Sequence, residues 1–235
     1  MPASGIARIK FCGITRPVDA KHATQLGASY VGVIFAESPR QVDDATARAV
    51  FEAAGDQVAH VAVFGDDRVE NITARALEIG ADIVQLHAIA GAKSIDDLRR
   101  TFRGKIWAVV SVDPGSHELP PEARDLADAA DAVLLDARVD GKSGGTGRTL
   151  NWVSLAASIA ALRDRTELIL AGGLTPENVA SAIGAMRPDM VDVSSGVETA
   201  PGIKDPRKME AFAEAVRSAS IVGGKAPSPG RHESE

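Results

Sequence analysis

Cys12 is the one cysteine in 235 residues. It stands in Arg8-Ile9-Lys10-Phe11-Cys12-Gly13-Ile14-Thr15, which reads as a short apolar strand ending in a sharp turn. A thiol at a strand end, beside a glycine that frees the backbone, is placed to face a ligand. Cysteine is also a common buried filler, and both readings stay open at this point. A lone cysteine excludes an internal disulfide. Asp136 follows Leu134-Leu135, and a carboxylate closing an apolar strand is costly to bury without a purpose or a partner. Arg40, in Ser38-Pro39-Arg40, can bind a carboxylate bidentately or lie on the surface after a turn. His87, at the end of Val84-Gln85-Leu86-His87, is a possible base or a polar strand terminator. No His-x-x-x-His or Cys-x-x-Cys spacing occurs, so no metal site is indicated.

Two glycine-bearing segments have the chemistry of an anion site. One is Leu170-Ala171-Gly172-Gly173-Leu174-Thr175-Pro176 and the other is Val193-Ser194-Ser195-Gly196-Val197. Glycines let the backbone approach a ligand, and amide groups at a helix start favour an anion such as phosphate. The competing reading is two turns needed only to reverse the chain. A third glycine-rich stretch, Asp140-Gly141-Lys142-Ser143-Gly144-Gly145-Thr146-Gly147, is longer than usual βα loops and suits a lid. It lacks the glycine spacing of a Walker motif.

The elements that must position these residues are short apolar runs. They are Ile9 to Cys12, Tyr30 to Phe35, Val58 to Phe64, Asp82 to Leu86, Ile106 to Ser111, Ala132 to Leu135, Glu167 to Ala171 and Met190 to Ser194. Such runs suit strands buried on both faces of a parallel sheet. Helical patterns lie between them. Asp66 to Gly80 puts Val69, Ile72, Ala76 and Ile79 on one stripe. Ser94 with Asp97 resembles a capping box, with Gly104 closing that helix. Thr175-Pro176 and Asp205-Pro206 read as N-cap followed by N1 proline. The last helix turns Met209, Phe212 and Val216 inward. Eight strand–helix units predict an α/β chain folded as a single-domain (β/α)8 TIM barrel over residues 7–219, with a doubly wound sheet as the alternative. Residues 1–6 and 221–235 are expected to be flexible termini. In either fold ligands bind at the carboxyl ends of the strands.

A net charge of -6 without a basic run argues against nucleic acid as a partner. No apolar stretch approaches the roughly 18 residues of a membrane span, and the first residues lack a signal peptide's apolar core. A cytoplasmic protein without a membrane partner is expected.

Taken together, the segments resemble the phosphoribosylanthranilate isomerase family of tryptophan biosynthesis. The resemblance rests on Lys10-Phe11-Cys12-Gly13-Ile14, Gly32-Val33-Ile34-Phe35, Ser38-Pro39-Arg40, Gln85-Leu86-His87, Leu135-Asp136, Gly144-Gly145-Thr146-Gly147, Leu170-Ala171-Gly172-Gly173-Leu174, Asp192-Val193-Ser194-Ser195-Gly196-Val197-Glu198 and Pro201-Gly202-Ile203-Lys204-Asp205. It implies a (β/α)8 isomerase that needs no cofactor. The implied reaction is an Amadori rearrangement of N-(5-phosphoribosyl)anthranilate to 1-(2-carboxyphenylamino)-1-deoxyribulose 5-phosphate.

The resemblance assigns the base to Cys12, the acid to Asp136 and the anthranilate carboxylate to Arg40. It gives the phosphate to Gly172, Gly173, Ser195 and Gly196, and further substrate contacts to Gln85, His87 and Gly145. Cys12 is then expected to be favoured as thiolate, and Asp136 to stay partly protonated through burial. The partner is a small phosphosugar; a link to other enzymes of the pathway is not readable. Ala88 and Leu150-Asn151-Trp152 depart from the family pattern, which has glycine and Phe-Asp-Trp there. The related histidine-pathway sugar isomerase is disfavoured, because it uses aspartate where Cys12 stands. A non-catalytic phosphosugar-binding protein would need neither Cys12 nor Asp136.

Overall fold

Brief runs of Val, Ile, Leu and Ala, too short for helices and apolar at successive positions, take up extended backbone. Each is followed by a helix with one apolar face. The structure is a computed structural model and describes residues 7–65, 67–87, 91–113, 115–139, 142–143 and 152–222. The strands are β1 (Arg8–Phe11), β2 (Tyr30–Ile34), β3 (Ala59–Phe64), β4 (Ile83–Leu86), β5 (Lys105–Val112), β6 (Ala132–Val139), β7 (Glu167–Leu170) and β8 (Met190–Val193). The helices are α1 (Pro17–Gln25), α2 (Asp44–Ala54), α3 (Val69–Ile79), α4 (Ala92–Arg99), α5 (Ala123–Ala129), α6 (Trp152–Ala160), α7 (Val179–Met186) and α8 (Pro206–Val222).

The strands pair in parallel in chain order, and β8 returns to β1, with Lys10 opposite Asp192. This is a closed eight-stranded barrel, which overturns the doubly wound alternative. Alternation along each strand divides the core in two. Ile9 and Phe11 face the helices, where the Phe11 ring lies 6.1 Å from that of Phe212 on α8. Tyr30, Val61, Ile83, Trp107, Leu134, Ile169 and Met190 fill the barrel interior. At the amino-terminal end of the strands, Arg8 donates to the Tyr30 hydroxyl at 2.8 Å and pairs with Glu167 at 2.9 Å. That network tethers β1, β2 and β7 far from the ligand end.

Several local expectations are corrected. Gly91, not Ser94, stands at the N-cap of α4, so Ser94 lies inside the helix. Gly104 does not cap α4, which ends at Arg99; a side chain there would strike the Asp82 carbonyl at 2.2 Å and the Phe102 ring. Regular α7 begins at Val179, with residues 176–178 forming a turn that Thr175 and Asn178 tie together. Asp205 does cap α8, accepting from Arg207 N at 2.9 Å. β6 runs past Leu135 to Val139 and pairs antiparallel with Lys142–Ser143, so the connection after β6 opens as a ribbon. Residues 140–141 and 144–151 lie outside the described residues, as do Ala88 and both chain ends. The expected lid stretch, apart from Lys142–Ser143, and Gly145 thus lie outside the described residues.

Candidate active site at the carboxyl end of the barrel

Side chains two apart on a strand point the same way. Two residues above the inward apolar layer, the interior turns polar: Gln85 above Ile83, Asp136 above Leu134, Asp192 above Met190. On β1 the inward series is Arg8, Lys10, Cys12. Cys12, Lys10, Gln85 and Asp136 are all buried. A polar layer inside a barrel is costly unless its groups are paired, and these are only partly paired. Lys10 Nζ, fully buried, donates to Asp192 Oδ1 at 3.0 Å. Gln85 Oε1 has no protein partner among the described residues. It is an acceptor left for something else at a strand end.

Lys10 also reaches the Cys12 thiol. A side chain at Gly32 would come within 3.1 Å of Lys10 Cε and 3.2 Å of Cys12 Sγ, so Gly32 provides the space in which they sit. Burial pushes the Cys12 thiol up and Asp192 adds to this, while Lys10 and Lys204 pull it down without prevailing. The expectation of a surrounding that favours the thiolate is thus corrected. Desolvation of a fully buried thiol outweighs its cationic neighbours. Burial pulls Lys10 down, yet Asp192 and Cys12 hold it above its ordinary value. Asp136 is raised to about 7, by burial first and by the Asp192 charge second, against the Ala137 amide and Lys10. Half-protonation near neutrality is what the burial of this strand end led us to expect.

Gly13 has φ +66, and a side chain there would meet Arg40 Cδ at 2.6 Å and Ser194 Oγ at 2.9 Å. The Arg40 stem therefore crosses directly over the turn after Cys12. Its guanidinium is not a free surface group. Nε lies 2.9 and 3.1 Å from the two carboxylate oxygens of Glu198, and Nη2 lies 2.7 Å from Oε2. Glu198 also receives Lys204 Nζ at 2.8 Å.

The two glycine segments touch each other and the acid candidate. Gly172, at φ +81, would put a side chain 2.8 Å from Asp136 Oδ1 and 2.5 Å from Ala137 N. Gly196 packs on the Leu174 carbonyl, with 1.9 Å to an added side chain. Gly196 lies in a one-turn 3-10 helix, Ser195–Val197, leading into a small antiparallel ribbon of Glu198–Ala200 and Ile203–Lys204. Cys12, Asp136, Arg40, Gln85 and the glycine segments thus share the carboxyl end of the barrel. His87, at the end of β4, donates its amide to the Phe64 carbonyl at 2.8 Å. Sequence reasoning missed the roles of Lys10, Asp192, Glu198 and Lys204. The signal for Lys10 and Asp192 was their place two residues before Cys12 and Ser194 on the same strand face. Glu198 and Lys204 carried none beyond their motif. A hollow of about 390 Å³, lined by Phe51, His60 and Asp82 among others, lies at the amino-terminal end and holds none of these groups. Among the described residues no helix is long and apolar enough to cross a membrane.

Comparison with known proteins gives the same arrangement a family. The model of the N-(5'phosphoribosyl)anthranilate (PRA) isomerase family matches residues 9–215. An N-(5'-phosphoribosyl)anthranilate isomerase of Haloferax volcanii is 37% identical over 217 residues, covering 91% of this chain and 95% of that protein. One from Syntrophus aciditrophicus is 41% identical over 217 residues, covering 90% and 88%. The phosphoribosyl anthranilate isomerase structure from Thermotoga maritima superposes with TM-score 0.77 at 33% identity, covering 91% of this chain and 100% of that one. A phosphoribosyl anthranilate isomerase solved with reduced 1-(o-carboxyphenylamino)-1-deoxyribulose 5-phosphate superposes at TM-score 0.74 with 31% identity, covering 91% and 100%. With likeness spanning every barrel strand and both ends of the proposed site, the chain belongs to the N-(5'-phosphoribosyl)anthranilate isomerase family.

Proposed function

We propose that this enzyme of tryptophan biosynthesis isomerises N-(5'-phosphoribosyl)anthranilate to 1-(2-carboxyphenylamino)-1-deoxyribulose 5-phosphate with Asp136 as general acid and Cys12 as general base. Asp136 gives its proton to the furanose ring oxygen as the C1–O bond breaks, and the ring opens to a Schiff base. Cys12, as thiolate, takes the C2 proton. The resulting enolamine tautomerises to the ketone. One proton enters from Asp136 and one leaves to Cys12, and C1 is reduced as C2 is oxidised, so no external redox partner is needed.

The observation that carries the assignment is two buried ionisable groups, Cys12 and Asp136, in one polar layer at the strand ends. Asp136, raised to about 7, keeps a transferable proton near neutrality. Lys10, beside the thiol, stabilises the charge that Cys12 acquires. Arg40 receives the anthranilate carboxylate. Gly172, Gly173, Ser195 and Gly196 hold the phosphate through backbone amides, and Gln85 Oε1 accepts from a substrate donor. His87 and Gly145 complete the substrate contacts. The reading places the enzyme in the cytoplasm with a small phosphosugar as its partner; a free thiol at Cys12 suits a reducing compartment.

The test is turnover of N-(5'-phosphoribosyl)anthranilate by the purified protein, with the product identified, alongside Cys12→Ser and Asp136→Asn. Loss of turnover in both variants with folding intact is expected. Wild-type turnover in either removes that residue's role.

A further inference from the structure

The motif Pro201-Gly202-Ile203-Lys204-Asp205 has no task in the mechanism above, yet its lysine is among the most buried side chains in the protein. Lys204 is 1% exposed. Its Nζ lies 2.8 Å from Glu198 Oε1 and 3.1 Å from the Ser194 carbonyl, with Ser194 Oγ at 3.5 Å. Glu198 in turn takes both Nε and Nη2 of Arg40, and the Gly202 amide reaches its Oε1 at 3.3 Å. Burial pushes Lys204 down, whereas Arg40 and Lys204 hold Glu198 below its ordinary value against burial.

Three charges are thereby taken out of water at the rim of the site. An arginine–carboxylate pair would fix the guanidinium plane by itself. Such a pair is neutral, however, and presents no net charge to a second carboxylate. Adding one lysine on the far side of Glu198 leaves two positive charges and one negative. Nε and Nη2 of Arg40 are committed to Glu198, and among the described residues Nη1 makes no hydrogen bond to protein, which leaves that edge of the fork for a ligand.

We propose that Glu198 and Lys204 are positioning residues for Arg40: Glu198 fixes the orientation of the guanidinium, and Lys204 offsets the Glu198 charge so that the group keeps one net positive charge for the substrate's aromatic carboxylate. The inference rests on the reading of Arg40 as the carboxylate receptor. It also gives the small ribbon after β8 a purpose. Lys204 joins the Arg40 end of the site to Ser194, where the phosphate segment begins, so the two anion receptors share one scaffold.

The experiment compares two ligands by titration at fixed ionic strength: reduced 1-(o-carboxyphenylamino)-1-deoxyribulose 5-phosphate and its phenylamino counterpart without the ring carboxylate. Lys204→Met is expected to weaken the first by roughly tenfold or more, the scale of one lost charge-assisted contact, and to leave the second within about twofold. KM for substrate should rise far more than kcat falls. Glu198→Gln/Lys204→Met restores the single net positive charge and should recover most of the lost affinity. Equal losses for both ligands, or no recovery in the double variant, overturn the proposal. Arg40→Ala separates the two levels: if it does not discriminate between the ligands, the reading of Arg40 itself is wrong. If it does and Lys204→Met does not, only the present inference falls. Should Lys204→Met not fold, Glu198→Gln alone raises the group to two positive charges. The carboxylated ligand should then show a steeper salt dependence of Kd than with wild type, and an unchanged slope overturns the idea.

Discussion

Lys10 Nζ and Asp192 Oδ1 meet at 3.0 Å across the seam where β8 closes on β1, and the two residues are direct register partners. The proposed acid and base both feel this pair. The Asp192 charge pushes Cys12 and Asp136 up, and the Lys10 charge pulls both down. Burial raises both groups most, and the pair that barrel closure forms adjusts both in addition. A substitution in the pair should move two titrations in the same direction.

Asp192→Asn removes the negative charge and leaves Lys10 free to turn wholly to the thiol. Both titrations should fall. With Asp136 as the proposed acid and Cys12 as the proposed base, the wild-type active form needs Asp136 protonated and Cys12 ionised, although Asp136 titrates lower. The rising limb of kcat/KM against pH then lies near 7, at the Asp136 value, and the falling limb lies at the higher Cys12 value. In Asp192→Asn both limbs should shift to lower pH. Limbs that stay in place would show that Asp192 does not act on the pair electrostatically.

Cys12→Ser keeps the shape of the buried group and replaces the thiol with a hydroxyl, a far weaker acid whose ionised form is inaccessible at neutral pH. Turnover should fall about 100-fold or more with an unchanged circular-dichroism spectrum. A variant retaining a tenth of the wild-type rate would exclude Cys12 as the base.

Gly13→Ala tests the turn that the Arg40 side chain crosses. The backbone there is left-handed, and the new methyl would press on Arg40 Cδ at 2.6 Å and Ser194 Oγ at 2.9 Å. Strain of about 1 kcal/mol or more is expected from φ alone, read as a lower urea midpoint. Displacement of Arg40 should also raise KM. Normal stability with normal KM would mean that neither the turn nor the Arg40 path is as described.

Much of this site was legible because its parts are chemically odd where they stand. A thiol and a carboxylate at the ends of apolar runs are local signals, and strand burial on both faces made the runs visible as a parallel barrel. The partners were not local. Lys10 finds Asp192 at a separation of 182 residues, and Arg40 finds Glu198 at 158. Only barrel closure brings these together, and nothing in either segment announces it. The sign of the Cys12 shift failed for a related reason: it depends on how completely the thiol is dehydrated, which a sequence pattern does not report. Ser94 misled because a serine near a helix start can cap only if the helix begins after it, and here Gly91 lets the chain enter α4 earlier.

Asp136→Asn should separate the chemical role of this residue from its effect on stability. Asparagine keeps a hydrogen bond near the ring oxygen but has no proton to release as the C1–O bond breaks. kcat and kcat/KM should fall together, by about 100-fold or more, while product affinity changes little because the proposed phosphate and carboxylate sites are untouched. The stability effect runs the other way and depends on pH. With Asp136 raised from 3.8 to about 7 in the folded state, the folded protein binds this proton more tightly than the unfolded chain does. The resulting stabilisation is fully present below pH 4 and is lost as pH rises to about 7. At about 1.36 kcal/mol per pH unit, the gap amounts to roughly 4 kcal/mol by neutrality. Asparagine carries no such dependence. Urea unfolding across pH 4 to 8 should therefore show the variant gaining on wild type between about pH 4 and 7, with a constant difference above that. A difference independent of pH would mean that Asp136 is ionised in the folded protein at neutrality. It could not then be the acid, and His87 at the end of β4 becomes the group to test.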